Sequence, residues 1–215
     1  MFRIILFTAV FIGSLSANAF DTTKVLRYTE ALSHKMDFPS VFKRFNGEFR
    51  YSDEEMAFFK MKSIKENYVE ILKEGGMNDH LYTFKIFDSK KGKFITAINL
   101  RSGSDGRCMI KCFEVTEEKD ELFLEDAPKR LHDTKFEDLG IDAETAEKMR
   151  ANSNLFYLAF TFEDLTKIKV EICLNPPFGK ENQAIIEDVL NAYPGLDKKV
   201  MYLNWNRKKG KFEKA

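Results

Sequence analysis

The chain lacks an excess of either charge: 34 lysines and arginines stand against 34 aspartates and glutamates. A neutral protein has no global attraction for nucleic acid or an anionic membrane, which excludes binding driven by bulk charge. Long apolar runs are missing too. The one apolar stretch, Ile4 to Ile12, is broken only by Thr8 and falls well short of the roughly 20 residues that span a bilayer. No G-x-G-x-x-G and no P-loop occurs, so no nucleotide site and no cofactor is expected. His34, His80 and His132 form no H-x-x-H or H-E-x-x-H spacing, and there is no C-x-x-C. No metal site is therefore expected, and surface positions are the ordinary reading for these histidines.

What is present begins at the N-terminus. Arg3 supplies a positive region, Ile4 to Ile12 an apolar one, and Ala17-Asn18-Ala19 an A-x-A cleavage site. Residues 1–19 therefore read as a signal peptide, with a mature chain from Phe20 that is periplasmic or secreted. No cysteine stands immediately after the cleavage point, where Phe20 follows Ala19, so no lipid anchor is expected. The remainder fits a single domain over 20–215.

Cysteine is scarce, with Cys108, Cys112 and Cys173 alone. Export makes a disulfide a fair expectation, and an odd number leaves one thiol over. On one strand Cys108 and Cys112 would lie about 13 Å apart, whereas a bridge needs Cα atoms within roughly 7 Å. The expected bridge is Cys112–Cys173, because Cys108 lies nearer the glycine-rich turn. Looped geometry at 108–112 would instead allow Cys108–Cys112.

Periodicity predicts the elements. Helix is expected over 22–45, interrupted at Pro39 and restarting at Ser40. A second helix is expected after the capping box Ser52-Asp53-Glu54-Glu55, through Met56, Phe59, Ile64, Tyr68, Ile71 and Leu72 to Gly75-Gly76. From Leu81 the period becomes 2. Strands around Tyr82–Ile86, Phe94–Leu100, Cys108–Val115 and Leu122–Leu124 make a meander, with turns at 89–92 and 102–106. Asp142 caps a short helix through Met149. Residues 155–162 and 167–174 form a hairpin, Glu181 to Tyr193 an amphipathic helix, and Val200 to Trp205 a last strand. The fold class is α+β, an antiparallel β-sheet (meander plus hairpin) packed by N-terminal helices and a C-terminal amphipathic helix. Residues 20–76 are expected to be mainly helical and 80–206 sheet-rich. The 21 phenylalanines fit a Phe-packed core, with an aromatic ligand pocket as the sharper alternative.

Candidate chemistry is sparse. A nucleophile at Cys108 would need a neighbouring base, His80 or His132, or a cation that lowers its pKa. Gly103-Ser104-Asp105-Gly106 lacks the G-x-S-x-G pattern and reads as a turn. Glu114 to Asp126 is acidic without a calcium-loop pattern, and reads as a solvated hairpin. Lys198, Lys199, Arg207, Lys208, Lys209, Lys211 and Lys214 make the C-terminus basic. Three readings stand for this region: it docks a polyanion or an acidic partner, it is an ordinary soluble tail, or it faces the acidic hairpin. Trp205, Arg207 and Lys208 are the candidate partner-binding residues, since Trp and Arg are frequent interface anchors. Trp205 can equally be a core residue ending the last strand.

The leading expectation is an exported, non-catalytic binding protein of inhibitor, immunity or accessory type, whose partner is another exported protein. The alternatives are an extracytoplasmic hydrolase using Cys108 with a histidine, and a binder of a small apolar ligand in a Phe-lined cavity.

Overall fold

The computed structural model describes residues 22–36, 43–45, 48–52, 58–65, 67–75, 78–102, 106–164, 166–177 and 179–215. The expected signal peptide lies outside the described residues. Among them, helix α1 (Thr22–Met36) is followed by eight strands: β1 (Lys43–Phe45), β2 (Glu48–Ser52), β3 (Phe58–Lys65), β4 (Tyr68–Glu74), β5 (His80–Ser89), β6 (Gly92–Arg101), β7 (Arg107–Glu118) and β8 (Glu121–Asp126). They pair in sequence order, each antiparallel to the next, as one eight-stranded meander. Two short 3-10 turns and α2 (Ala143–Ala151) lead to β9 (Phe156–Phe162) and β10 (Lys167–Leu174). Then come α3 (Gly179–Ala192), β11 (Val200–Asn206) and β12 (Lys211–Lys214), which complete a four-stranded antiparallel sheet in the order β12-β11-β10-β9. The class is α+β on antiparallel sheet.

Three expectations are corrected. The segment 58–74 is not a helix but the hairpin β3–β4. Phe59 and Met61 alternate with lysines, but a bulge between Met61 and Ser63 shifts the phase by one residue. The displaced apolar positions then imitate helical spacing. The capping-box residues 53–55 lie outside the described residues. Residues 43–45 are strand rather than a restarted helix, so the 20–76 region is mainly sheet beyond α1. The C-terminal basic segment is no loose tail, since 211–214 pair with 203–206 as the edge strand β12.

Two apolar clusters follow from the alternation of side chains across each strand. On one face of the large sheet, Tyr28, Leu32 and Met36 of α1, at i, i+4 and i+8, meet Val69, Ile71, Phe84, Ile95 and Phe113. On the other face, Phe87 and Ile98 join Phe156, Phe160, Ile168 and Val170 of the small sheet, together with α2 and α3 residues. Lys85 points into this second layer. It is 2 % exposed, sits opposite Tyr68 and Thr96, and holds its ammonium 5.6 Å from the Phe87 ring centroid. The two sheets are joined at β9. Its Phe160 N–H, on the edge away from β10, donates to Cys108 Sγ at 3.3 Å. Asn175 Nδ2 bridges the carbonyls of Gly106 and Asn154 at 3.1 and 2.7 Å.

Candidate interaction surface

The large and small sheets each end in a basic turn, and the two turns sit against one another. The β5–β6 turn reads Ser89-Lys90-Lys91-Gly92-Lys93, and the β11–β12 turn reads Arg207-Lys208-Lys209-Gly210-Lys211. Each is shaped by a short polar side chain and a glycine. Ser89 Oγ accepts the Lys91 N–H at 2.9 Å and donates to the Gly92 carbonyl at 3.1 Å. Asn206 Oδ1 accepts the N–H groups of Lys208 and Lys209, both at 3.1 Å, an Asx-turn. Gly210 closes that loop at φ 62°, a left-handed conformation that favours glycine.

A backbone clamp holds the turns together. The Lys90 N–H donates to the Arg207 carbonyl at 3.2 Å. Trp205 Nε1–H donates to the Asp88 carbonyl at 3.0 Å. Under the clamp, Phe94 and Phe212 are 0 % and 1 % exposed, and their rings lie 5.7 and 5.0 Å from Trp205. Phe87 adds a third ring at 4.9 Å. A Cβ on Gly210 would come 2.9 Å from Ser89 Oγ, so only glycine permits this approach.

The electrostatics separate two groups of cations. Lys209 and Lys211 share the Glu213 carboxylate at 2.8 and 3.3 Å. Lys209, then Asn206, hold that carboxyl down to about 2. The side chains of Lys90, Lys91, Lys93, Arg207 and Lys208 are exposed and make no ion pair among the described residues. Lys93 stands opposite Asp88 across the β5–β6 ladder and, after Arg27, helps hold the Glu117 carboxyl down, which leaves Lys90, Lys91, Arg207 and Lys208 as four cations with no paired anion among the described residues. Such groups bind carboxylates or phosphates.

Of the candidates from the sequence, Arg207 and Lys208 lie on this surface and Trp205 lies under it as scaffold. Lys90, Lys91 and Lys93 escaped notice. The signal that finds them is the pentapeptide Lys-Lys-Gly-Lys-Phe, which occurs at both 90–94 and 208–212.

The other candidates are placed elsewhere. All three cysteines are free, so the expected Cys112–Cys173 bridge is not formed. Cys112 faces Thr96, while Cys173 lies opposite Tyr157 on the small sheet, with β9 between β10 and the large sheet. Burial pushes the Cys108 and Cys112 thiols up to about 11. His80 stacks on Tyr82 at 5.5 Å and contacts Asn99 at 3.2 Å, on the face of the sheet opposite to Cys108 by register. His132 contacts Thr134. The structure therefore does not bring Cys108 together with His80. Among the described residues no group of three or more His, Cys, Asp or Glu side chains could hold a metal. No helix among them is long and apolar enough to cross a membrane. Two surface pockets of about 340 and 380 Å³ have charged walls: one includes Lys135, Glu137 and Arg150, the other Arg27, Glu30 and Glu121. Neither is a Phe-lined apolar cavity. In the acidic β7–β8 hairpin, Glu117 pairs with Arg27 of α1.

No family model matches the chain, and no curated protein matches it. A solved structure of a domain of an uncharacterized protein from Porphyromonas gingivalis W83 is similar, with a TM-score of 0.54 and 11% identity over 78% of this chain and 79% of that one. At that identity the likeness concerns the fold alone.

Proposed function

We propose that this chain is an exported, non-catalytic protein that works by binding, with the paired lysine turns as its contact surface. The carrying observation is the clamp: two separate hairpin turns are fixed side by side, and four exposed cations, Lys90, Lys91, Arg207 and Lys208, have no ion-pair partner among the described residues. Holding like charges together costs Coulomb energy that a partner's anionic groups recover. Export rests on residues 1–19, and it makes another exported protein the natural partner. Against the hydrolase reading stand the raised Cys108 thiol and the placement of His80 across the sheet.

Site-directed photo-cross-linking in the producing cell tests this reading. A cross-linking residue at position 91 or 208 is expected to trap a discrete protein adduct. One at Glu144, exposed on α2, is expected to trap none. Equal yields from all three positions, or no adduct from 91 and 208, would sink the proposal.

A further inference from the structure

The lysine turns have an acidic neighbour at the same end of the large sheet. In a meander, alternate hairpin turns fall at the same end, so the β7–β8 turn lies beside the β5–β6 turn. The midpoints of the two hairpins are separated by two strand spacings, about 10 Å. Lys93 pairs with Val115, and three residues beyond Val115 is Glu118. The tip carries Glu117, Glu118, Asp120 and Glu121. Glu117 is paired with Arg27, and Lys119 adds one positive charge. Glu118, Asp120 and Glu121 are exposed and make no ion pair among the described residues. This end of the molecule therefore presents a positive patch and a negative patch side by side.

Resting on the lysine turns as contact surface, we propose that their occupant is a second copy of this chain, docked end to end about a two-fold axis. A two-fold axis between the patches lays each lysine turn on the partner's acidic tip, and each tip on the partner's turn, which is the self-complementarity an isologous contact requires. Net charge is zero, so whole copies do not repel one another. A uniformly anionic surface, a membrane or a nucleic acid, is disfavoured. It would meet Glu118, Asp120 and Glu121 within about one Debye length of the lysines. Exposed ion pairs are individually weak, so the dimer is weak and salt-sensitive.

The test is sedimentation velocity on the purified protein and two charge-reversed variants. The turn variant carries Lys90→Glu, Lys91→Glu and Lys208→Glu; the tip variant carries Glu118→Lys and Glu121→Lys. All substituted side chains are exposed, and unchanged melting and near-UV dichroism confirm each fold. Wild type is expected to dimerise in low salt, with an apparent dissociation constant that rises at least about tenfold on going to high salt. Each variant alone is expected to be monomeric, while their equimolar mixture restores the dimer, because reversed turn meets reversed tip. A wild type that stays monomeric at about millimolar concentration in low salt overturns the inference. So does a turn variant that still dimerises. Turn-dependent binding to phosphatidylglycerol vesicles without self-association also overturns it. If dimerisation fails while positions 91 and 208 still cross-link to another protein, this inference falls and the binding reading stands. If both fail, both fall.

Discussion

Trp205 shows how a residue type can point to a surface and serve the interior. Its ring touches Phe87, Phe94 and Phe212, and its indole N–H is spent on the Asp88 carbonyl. Trp205→Phe removes that bond and leaves a void, so a loss of about 1–3 kcal/mol is expected in denaturant unfolding. Cross-linking from position 91 should weaken too, because the clamp loosens. A stability equal to wild type would show that the indole is not the clamp. The thiols give a second prediction at this scale. With Cys108 and Cys112 pushed up to about 11, both stay protonated at pH 8, and neither should be alkylated by iodoacetamide in the native protein. Denaturation without reductant should then expose three reactive thiols. Mass spectrometry that finds a bridge instead contradicts the structure.

At the scale of elements, capping and turn chemistry decide local stability. Asp142 caps α2 by accepting the Thr145 N–H at 2.9 Å. The Tyr193 hydroxyl, then that backbone bond, holds its carboxyl down to about 2. A depressed carboxyl contributes stability that is fully present above its unfolded value, about 3.9, and lost as pH falls through about 2. Melting temperature should therefore drop more steeply between pH 4 and 2 in wild type than in Asp142→Asn; parallel curves would contradict this. The β7–β8 turn places Lys119 and Asp120 at φ 47° and 69°, a two-residue loop with both residues left-handed. Replacing the pair by Asn-Gly is expected to stabilise by about 1 kcal/mol, read by thermal unfolding.

These elements also explain what the sequence made legible. The strands from His80 to Asp126, the hairpin β9–β10, the Asp142 cap and α3 each carry their own period or cap, and each was readable. The hairpin β3–β4 was not, because the bulge after Met61 breaks its alternation and tertiary pairing overrides local pattern. Strand β12 was hidden by its lysines, which are acceptable on an edge strand. At the candidate surface Arg207 and Lys208 were legible as a charge run. Lys90, Lys91 and Lys93 left a trace only in the repeated Lys-Lys-Gly-Lys-Phe; that residues more than 100 apart in sequence form one patch follows from the packing of one sheet's turn on the other's.

For the whole molecule, neutrality conceals segregation. Equal numbers of acids and bases still leave one end with four cations beside three carboxylates that form no ion pair among the described residues, so overall charge says little about where this protein binds. The central claim is that those cations are the contact surface. Its most direct measurement is the yield of cross-linked adduct from position 91 in the producing cell, with and without the substitutions Lys90→Ser, Arg207→Ser and Lys208→Ser. The account predicts a fall of at least about tenfold, with melting behaviour unchanged. An adduct yield that is the same in both proteins would contradict it.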